Sequence, residues 1–202
     1  MNGKLLYQWG EEIASHLPSL KSWQVERVSV LSMGIIEAEH CQQGTVARQV
    51  TTGEQVASAA RRWRRYLADE RWDQARFVAE WTRWVVEQMP PSRCYLLVDE
   101  TKLGQRMGIM VVGLAFEGRC IPLAWRSYRA NDHTAYPSEG QVGMIETLLQ
   151  QIQAGMPAGR EVIVLADRGI GTSPDLCRAV NRLGWHYLLR VTCQSKICTD
   201  TG

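Results

Sequence analysis

Pro90 and Pro91 stand side by side in "EQMPPSRC" and divide the 202-residue chain into two stretches of different periodicity. A proline cannot continue a helix and biases the residue before it toward extended backbone, so no helix runs through this point. Before it, apolar residues recur at intervals of three and four, with no alternating pattern of any length. After it, strand-forming runs alternate with helical ones. The expected organisation is a helical region over residues 1–90 followed by an α/β region over residues 91–202.

In the first region, "ERVSVLSMGIIEAEH", "GTVARQV" and "TTGEQVASAARRWRRYLADE" read as successive helices, with Thr51 and Glu54 as a capping box for the third. Val56, Ala59, Ala60, Trp63 and Leu67 then share one face of that helix. Arg61, Arg62, Arg64 and Arg65 occupy its flanks and opposite side. A fourth helix is expected after Asp73, burying Phe77, Trp81, Trp84 and Val85. A short helix, a turn and a longer Arg-rich helix are compatible with a helix-turn-helix module whose four arginines meet DNA phosphates. The competing reading of "RRWRR" is a solvated helix face balanced by Asp69 and Glu70. The tryptophans of this region read as core.

Total charge does not decide between these readings. The formal charge is +2, and residues 1–90 carry 11 basic and 11 acidic side chains, so an argument for DNA rests on local clusters. Six cysteines with no CxxC pair and no zinc-type spacing to histidine read as reduced thiols in a cytoplasmic protein. The most apolar run, "MGIMVVGLAF", has only ten residues, too few to cross a bilayer. The N-terminal stretch contains two Glu and lacks the apolar core of a signal peptide.

Past the prolines, strands are expected at 94–98, 108–116 and 120–125, the last two joined by a tight turn at "EGR". A polar loop leads to a helix near 141–152, and "EVIVLADRG" reads as a buried strand ending at Asp167. Ser173 and Pro174 fit an N-cap and first helical position for "PDLCRAVNRL", Gly184 fits its C-terminal cap, and "WHYLLRV" supplies a final strand. The resulting β-α-β unit is expected to be parallel and right-handed.

Two of these apolar strands, "YLLVD" and "VIVLAD", stop at an aspartate. In α/β sheets, ligand sites lie at the C-terminal ends of the strands. If the two strands are parallel neighbours, Asp99 and Asp167 share one edge as hard oxygen ligands suited to Mg²⁺ or Mn²⁺. Phosphodiester chemistry uses such carboxylates to hold two ions about 4 Å apart, one activating the attacking oxygen and the other stabilising the leaving oxygen. Asp also ends strands simply because it forms turns. Lys102 and Arg168 follow the two acids closely enough to meet a phosphate, or are solvated charges. His133 reads as an exposed loop residue and Trp125 as core packing beside the first strand.

Taken together, "LLVDETKL", "VVGLAFEGRCIPLAW" and "VIVLADRGIGTSPDLCRAVNRLGWHYLLRV", in this order and spacing, resemble the DDE transposases of bacterial insertion sequences. With the helices before them, the resemblance covers residues 20–191. It implies a ribonuclease-H-like mixed sheet with flanking helices, Asp99 as first catalytic acid and Asp167 as second. A DNA-binding region before the catalytic domain is also implied. The implied activity is metal-dependent nicking at the element's terminal inverted repeats, followed by attack of the freed 3′-hydroxyl on target DNA, with a homodimer pairing two ends.

The family's third acid is a Glu on a later helix. Only 35 residues follow Asp167, and Glu100, Glu139, Glu146 and Glu161 all precede it. The resemblance therefore implies a catalytic domain truncated before its third acid. Two rival readings follow: a non-catalytic DNA-binding inhibitor that occupies the ends or pairs with full-length transposase, and a haloacid-dehalogenase-type phosphatase. The second wants another Asp two positions past the first, where this chain has Thr101.

Overall fold

A computed structural model describes residues 2–51, 55–69, 71–90, 93–130, 132, 136–191 and 193. The chain forms two compact units, Met1–Glu80 and Trp81–Gly202. The division falls inside a helix, seven residues before the end of that helix at Glu87 and ahead of Pro90.

The first unit is helical, with α1 (Gly3–His16), α2 (Ser22–Ala38), α3 (Gln43–Val50), α4 (Val56–Leu67) and the start of α5 (Gln74–Glu87). The Asn2 side chain caps α1 by accepting from the backbone N–H of Lys4 at 3.0 Å. Val46 and Ala47 of α3 and Ala59, Ala60 and Trp63 of α4 make a buried cluster, joined by Val30, Leu31 and Ile35 of α2. The α4 face differs from expectation at one end. Leu67 is 58% exposed and Tyr66 is buried in its stead. The Tyr66 hydroxyl reaches the carbonyl of Gln24 at 3.1 Å, which allows the ring to be buried with its polar end satisfied.

On α5, Val78, Val85 and Val86 are buried, whereas Phe77, Trp81 and Trp84 are only half-buried. Thr51 belongs to the end of α3, where its hydroxyl donates to the carbonyl of Ala47 at 2.7 Å. The residue before α4 is Gln55. Glu54, the other half of the expected capping box, lies outside the described residues, as do Glu70, Pro91 and His133.

Burial holds the Tyr66 phenol well above its ordinary value, with Arg27 opposing the shift and Asp69 reinforcing it. A group whose pKa is raised by folding contributes stability that is present below its unfolded value, about 10, and lost as pH rises past it. Tyr66→Phe is therefore expected to cost about 1 kcal/mol at pH 7, the lost hydrogen bond, and to reduce the loss of stability between pH 9 and 11. Urea denaturation followed at both ends of that window checks it. Alkaline sensitivity that remains is shared by the other phenols and thiols raised in the same direction, Tyr128, Tyr136, Tyr187, Cys94 and Cys120.

The second unit holds a five-stranded mixed sheet. Its strands are β1 (Cys94–Leu103), β2 (Met107–Phe116), β3 (Arg119–Arg129), β4 (Val162–Ala166) and β5 (His186–Leu189), in the order β3-β2-β1-β4-β5. β1, β2 and β3 are antiparallel in sequence, while β4 is parallel to β1 and β5 parallel to β4. The β2–β3 turn uses two residues, Glu117 (φ 47°) and Gly118 (φ 74°), both left-handed, as the twist of a two-residue hairpin demands. α6 (Gly140–Gly155) joins β3 to β4, and α7 (Pro174–Arg182) joins β4 to β5. Ser173 has the extended backbone of an N-cap but makes no capping hydrogen bond, and Gly184 (φ 71°) follows the end of α7.

One face of the sheet carries the core. Leu96, Val98, Met110, Val112, Leu114, Val162 and Val164 are buried there, with Met144, Ile145, Leu148, Leu149 and Ile152 of α6. The other face keeps Tyr95, Trp125 and Leu188 exposed, at 39%, 47% and 68%. Trp125 is thus a surface residue and not core, because the bulge at Val112/Gly113 puts Leu123 and Ala124 inward ahead of it. Behind the sheet's first strand, the Arg160 guanidinium donates to the carbonyls of Val86 (3.1 Å), Met89 (3.3 Å) and Pro90, closing the end of α5. Cys41, Cys94, Cys120, Cys177 and Cys193 are free thiols. Among the described residues, no helix is long and apolar enough to cross a membrane.

Candidate active site

The parallel ladder between β1 and β4 runs from Cys94↔Val162 to Val98↔Ala166. The next residue on each strand is an aspartate. Asp99 and Asp167 therefore sit at the same level on neighbouring strands, whose spacing is about 5 Å. Both are exposed. Side chains alternate along a strand, which assigns position 99 to the face of Tyr95 and Leu97, and position 167 to the face of their partners Ile163 and Leu165. This is the face that α6 and α7 leave open.

The two positions differ in backbone setting. β1 does not stop at Val98 as its sequence suggests. It continues to Leu103, because β2 is long enough to pair with all of it, and Asp99 lies opposite Val111. Asp99 is thus inside a strand on its β2 side and past the end of the ladder on its β4 side. Asp167 is beyond the end of β4, at the start of a turn. Its Oδ1 accepts from the backbone N–H of Gly169 (2.9 Å) and Ile170 (3.3 Å), and its carbonyl accepts from Gly171 (2.6 Å). The turn-forming role of Asp and its availability as a ligand coexist here, since Oδ2 takes no part in the turn.

Gly171 makes this turn possible. A Cβ on it would lie 2.8 Å from the carbonyl oxygens of Asp167 and Arg190 and 3.1 Å from the Leu189 side chain. Gly171→Ala is expected to push the turn away from β5, to destabilise by about 1–3 kcal/mol, and to speed amide exchange at Gly169 and Ile170. Hydrogen-exchange NMR checks it; unchanged protection at those two amides would count against this role for the Asp167 carboxylate.

The cations near the acids are placed differently. Arg168 is exposed in the turn beside Asp167, while Lys102 is exposed at an even position of β1, on the face opposite Asp99. In the helical unit, Arg61, Arg62, Arg64 and Arg65 are all exposed on α4. Asp69 does not balance them. Its carboxylate is held by Arg71, with Nε at 2.8 Å and Nη2 at 2.7 Å, and this pairing draws its pKa down to about 2.

A third acid, Glu100, adjoins the pair in sequence but is committed elsewhere. One of its oxygens accepts from the Tyr128 hydroxyl and the other from the Gln141 amide at 2.6 Å, tying β3 and the first turn of α6 to β1. Burial, then Glu100, raises the Tyr128 phenol. Sequence reasoning missed this cluster. Its one signal was Gly108, which pairs with Tyr128 and whose missing Cβ leaves room for that ring. Cys120 is also held above its ordinary thiol value, by burial first and then by the negative charge of Asp99.

Two carboxylates with free oxygens suit a hard divalent cation that completes its shell with water, as Mg²⁺ does when held by one or two protein carboxylates. Among the described residues, no group of three or more His, Cys, Asp or Glu side chains is arranged to hold a metal ion. The sequence matches no protein-family model and no curated protein.

Proposed function

We propose that Asp99 and Asp167 are the carboxylate pair of a Mg²⁺- or Mn²⁺-dependent site for DNA strand cleavage and transfer, of the kind used by DDE transposases. The observation that carries this reading is the β1–β4 register, which brings the two acids to one level on the open face of a mixed sheet. A five-stranded mixed sheet with flanking helices is also the framework a ribonuclease-H-like domain requires. When bound, the metal would polarise the scissile phosphate and lower the pKa of the attacking oxygen. The chain's own part is to hold negative charge at two fixed points 68 residues apart in sequence and to keep Asp167 oriented through its turn. Arg168, exposed in the same turn as Asp167, is a candidate to meet the phosphate.

The exposed arginines of α4 supply the sequence-independent hold on duplex DNA in this reading, with Arg61, Arg64 and Arg65 opposite the buried face and Arg62 at its margin. The decisive test is nicking of supercoiled and terminal-repeat duplex DNA by the purified chain with Mg²⁺, Mn²⁺ or EDTA. Metal-dependent nicking that requires both aspartates supports the proposal. Duplex binding without nicking supports instead a DNA-binding partner that occupies ends without cutting them, a reading favoured by the lack of a third acid beside the pair among the described residues. Hydrolysis of small phosphate esters without any DNA activity would replace both with a phosphatase.

A further inference from the structure

The helical unit contains a cleft of about 410 Å³ that neither the carboxylate pair nor the arginines of α4 account for. Its walls include Lys21, Trp23 and Arg27 of the α2 region and Arg71, Trp72 and Asp73 of the segment before α5. This size is within the range of pockets that hold a drug-sized ligand. Its lining is mostly polar, and besides Leu20 its apolar side chains are the two indoles.

The aromatic groups form one connected array. Trp23 meets Tyr66 edge to face at 6.0 Å, Tyr66 meets Trp72 at 5.3 Å, and Trp72 meets Phe77 at 5.8 Å. Tyr66 is buried and hydrogen-bonded to the α2 backbone, so it fixes the spacing of the two half-buried tryptophans. The Arg27 guanidinium lies over the Trp23 ring at 4.8 Å and over the Tyr66 ring at 5.5 Å. A guanidinium held on a ring face keeps its N–H groups in a fixed plane.

Charge in the cleft is unequal. Lys21, Arg27 and Arg71 face one carboxylate, Asp73, whose Oδ1 is used to cap α5 through the N–H of Arg76 at 3.0 Å. Asp69 is paired with Arg71 at 2.7 Å and also lies within the field of Arg27. The Trp23–Arg27 wall is shared with a second cleft of about 280 Å³, which reaches Arg62 and Trp63 on α4. The two clefts therefore make a track from Arg71 to Arg62, in which Trp72 and Trp23 are the half-buried indoles, Trp63 is buried and Glu26 is an acid on the second wall.

Fixed cations that follow a backbone, with aromatic faces for the bases, are the two components of a single-strand binding surface. Duplex DNA, whose bases are stacked on each other, has no free base face to set against the indoles. We infer that this track binds single-stranded nucleic acid, with unpaired bases against Trp72 and Trp23 and phosphates on Arg27, Lys21 and Arg71. The site is separate from the carboxylate pair and, apart from Arg62 at its far end, from the exposed arginines of α4.

Fluorescence anisotropy with labelled oligothymidylate, oligouridylate and a duplex of equal length tests it on the whole chain. Binding of either single strand is expected, weakening with salt, and the tighter of the two names the natural strand. Trp72→Ala and Arg27→Gln should each weaken single-strand binding at least tenfold and leave duplex binding within twofold. The triple change Arg61→Ala, Arg64→Ala, Arg65→Ala should do the reverse, and Arg119→Ala should change neither. Thermal unfolding of each variant shows whether the helical unit remains folded; should Trp72→Ala unfold it, Trp72→Leu with Lys21→Ala makes the same test. Undetectable single-strand binding, or binding that survives both the Trp72 and the Arg27 changes in folded protein, overturns the inference. Neither result bears on metal-dependent nicking, which Asp99→Ala tests separately.

Discussion

Asp99→Ala is expected to lower Mg²⁺-dependent nicking by about a thousandfold, and Asp167→Ala by a similar factor. A metal ion at a transferring phosphate contributes several kcal/mol to the barrier, and about 4 kcal/mol corresponds to a factor of about a thousand. On the proposal that both carboxylates hold the same ions, the double variant should lose little more than either single one. The sharper comparison is Asp167→Asn. Asparagine also forms a turn by accepting from the backbone two and three residues on, so it keeps the bonds to Gly169 and Ile170 while removing the charge. Nicking should fall as far as in Asp167→Ala, with stability unchanged. Asp167→Asn with full activity would reduce Asp167 to a turn residue and sink the carboxylate-pair reading.

The largest stability effect is expected from Leu96→Ala. Leu96 is fully buried on the central strand, opposite Leu114 of β2 and Val164 of β4. With neighbours on both sides and α6 above, the cavity has little room to collapse, and the cost should be about 3–5 kcal/mol. Leu97→Ala, one residue on, removes the same atoms from the half-buried face. It should cost no more than about 1 kcal/mol. Guanidinium denaturation of the pair measures the difference; equal losses would show that both faces of the sheet are packed alike, contrary to the burial pattern.

The elements of this fold were largely legible because the chain's punctuation agrees with its periodicity. "EGR" gave the hairpin, Pro174 and Gly184 bracketed α7, and the apolar runs before Asp99 and Asp167 gave the two strands. What failed was decided by tertiary partners. "DETKL" reads as the end of a strand because it turns polar, yet β2 supplies a residue opposite every position of it in the antiparallel ladder. Leu67 outranks Tyr66 in hydrophobicity, but only Tyr66 finds a carbonyl for its hydroxyl on α2. Trp125 faces outward because a bulge shifts the alternation by one residue, which no local pattern announces. The candidate site was legible as two residue types after two similar strands. The register that aligns them, and the engagement of Glu100 with Tyr128 and Gln141, arise only when the sheet has formed.

The fastening of α5 by Arg160 also sets an order of events during synthesis. Val86, Met89 and Pro90 leave the ribosome some 70 residues before the guanidinium that satisfies their carbonyls. β1 likewise emerges more than 60 residues ahead of β4, and it can pair at once only with the β2 hairpin. Until residues 160–166 have been made, the α5 carbonyls have no Arg160 to meet and β1 has no β4 to pair with. At that stage one edge of β1 is bare, and Asp99 stands on it without Asp167 beside it. The arrival of residues 160–166 closes the helix end and the strand edge together, and the same step brings the two acids to one level.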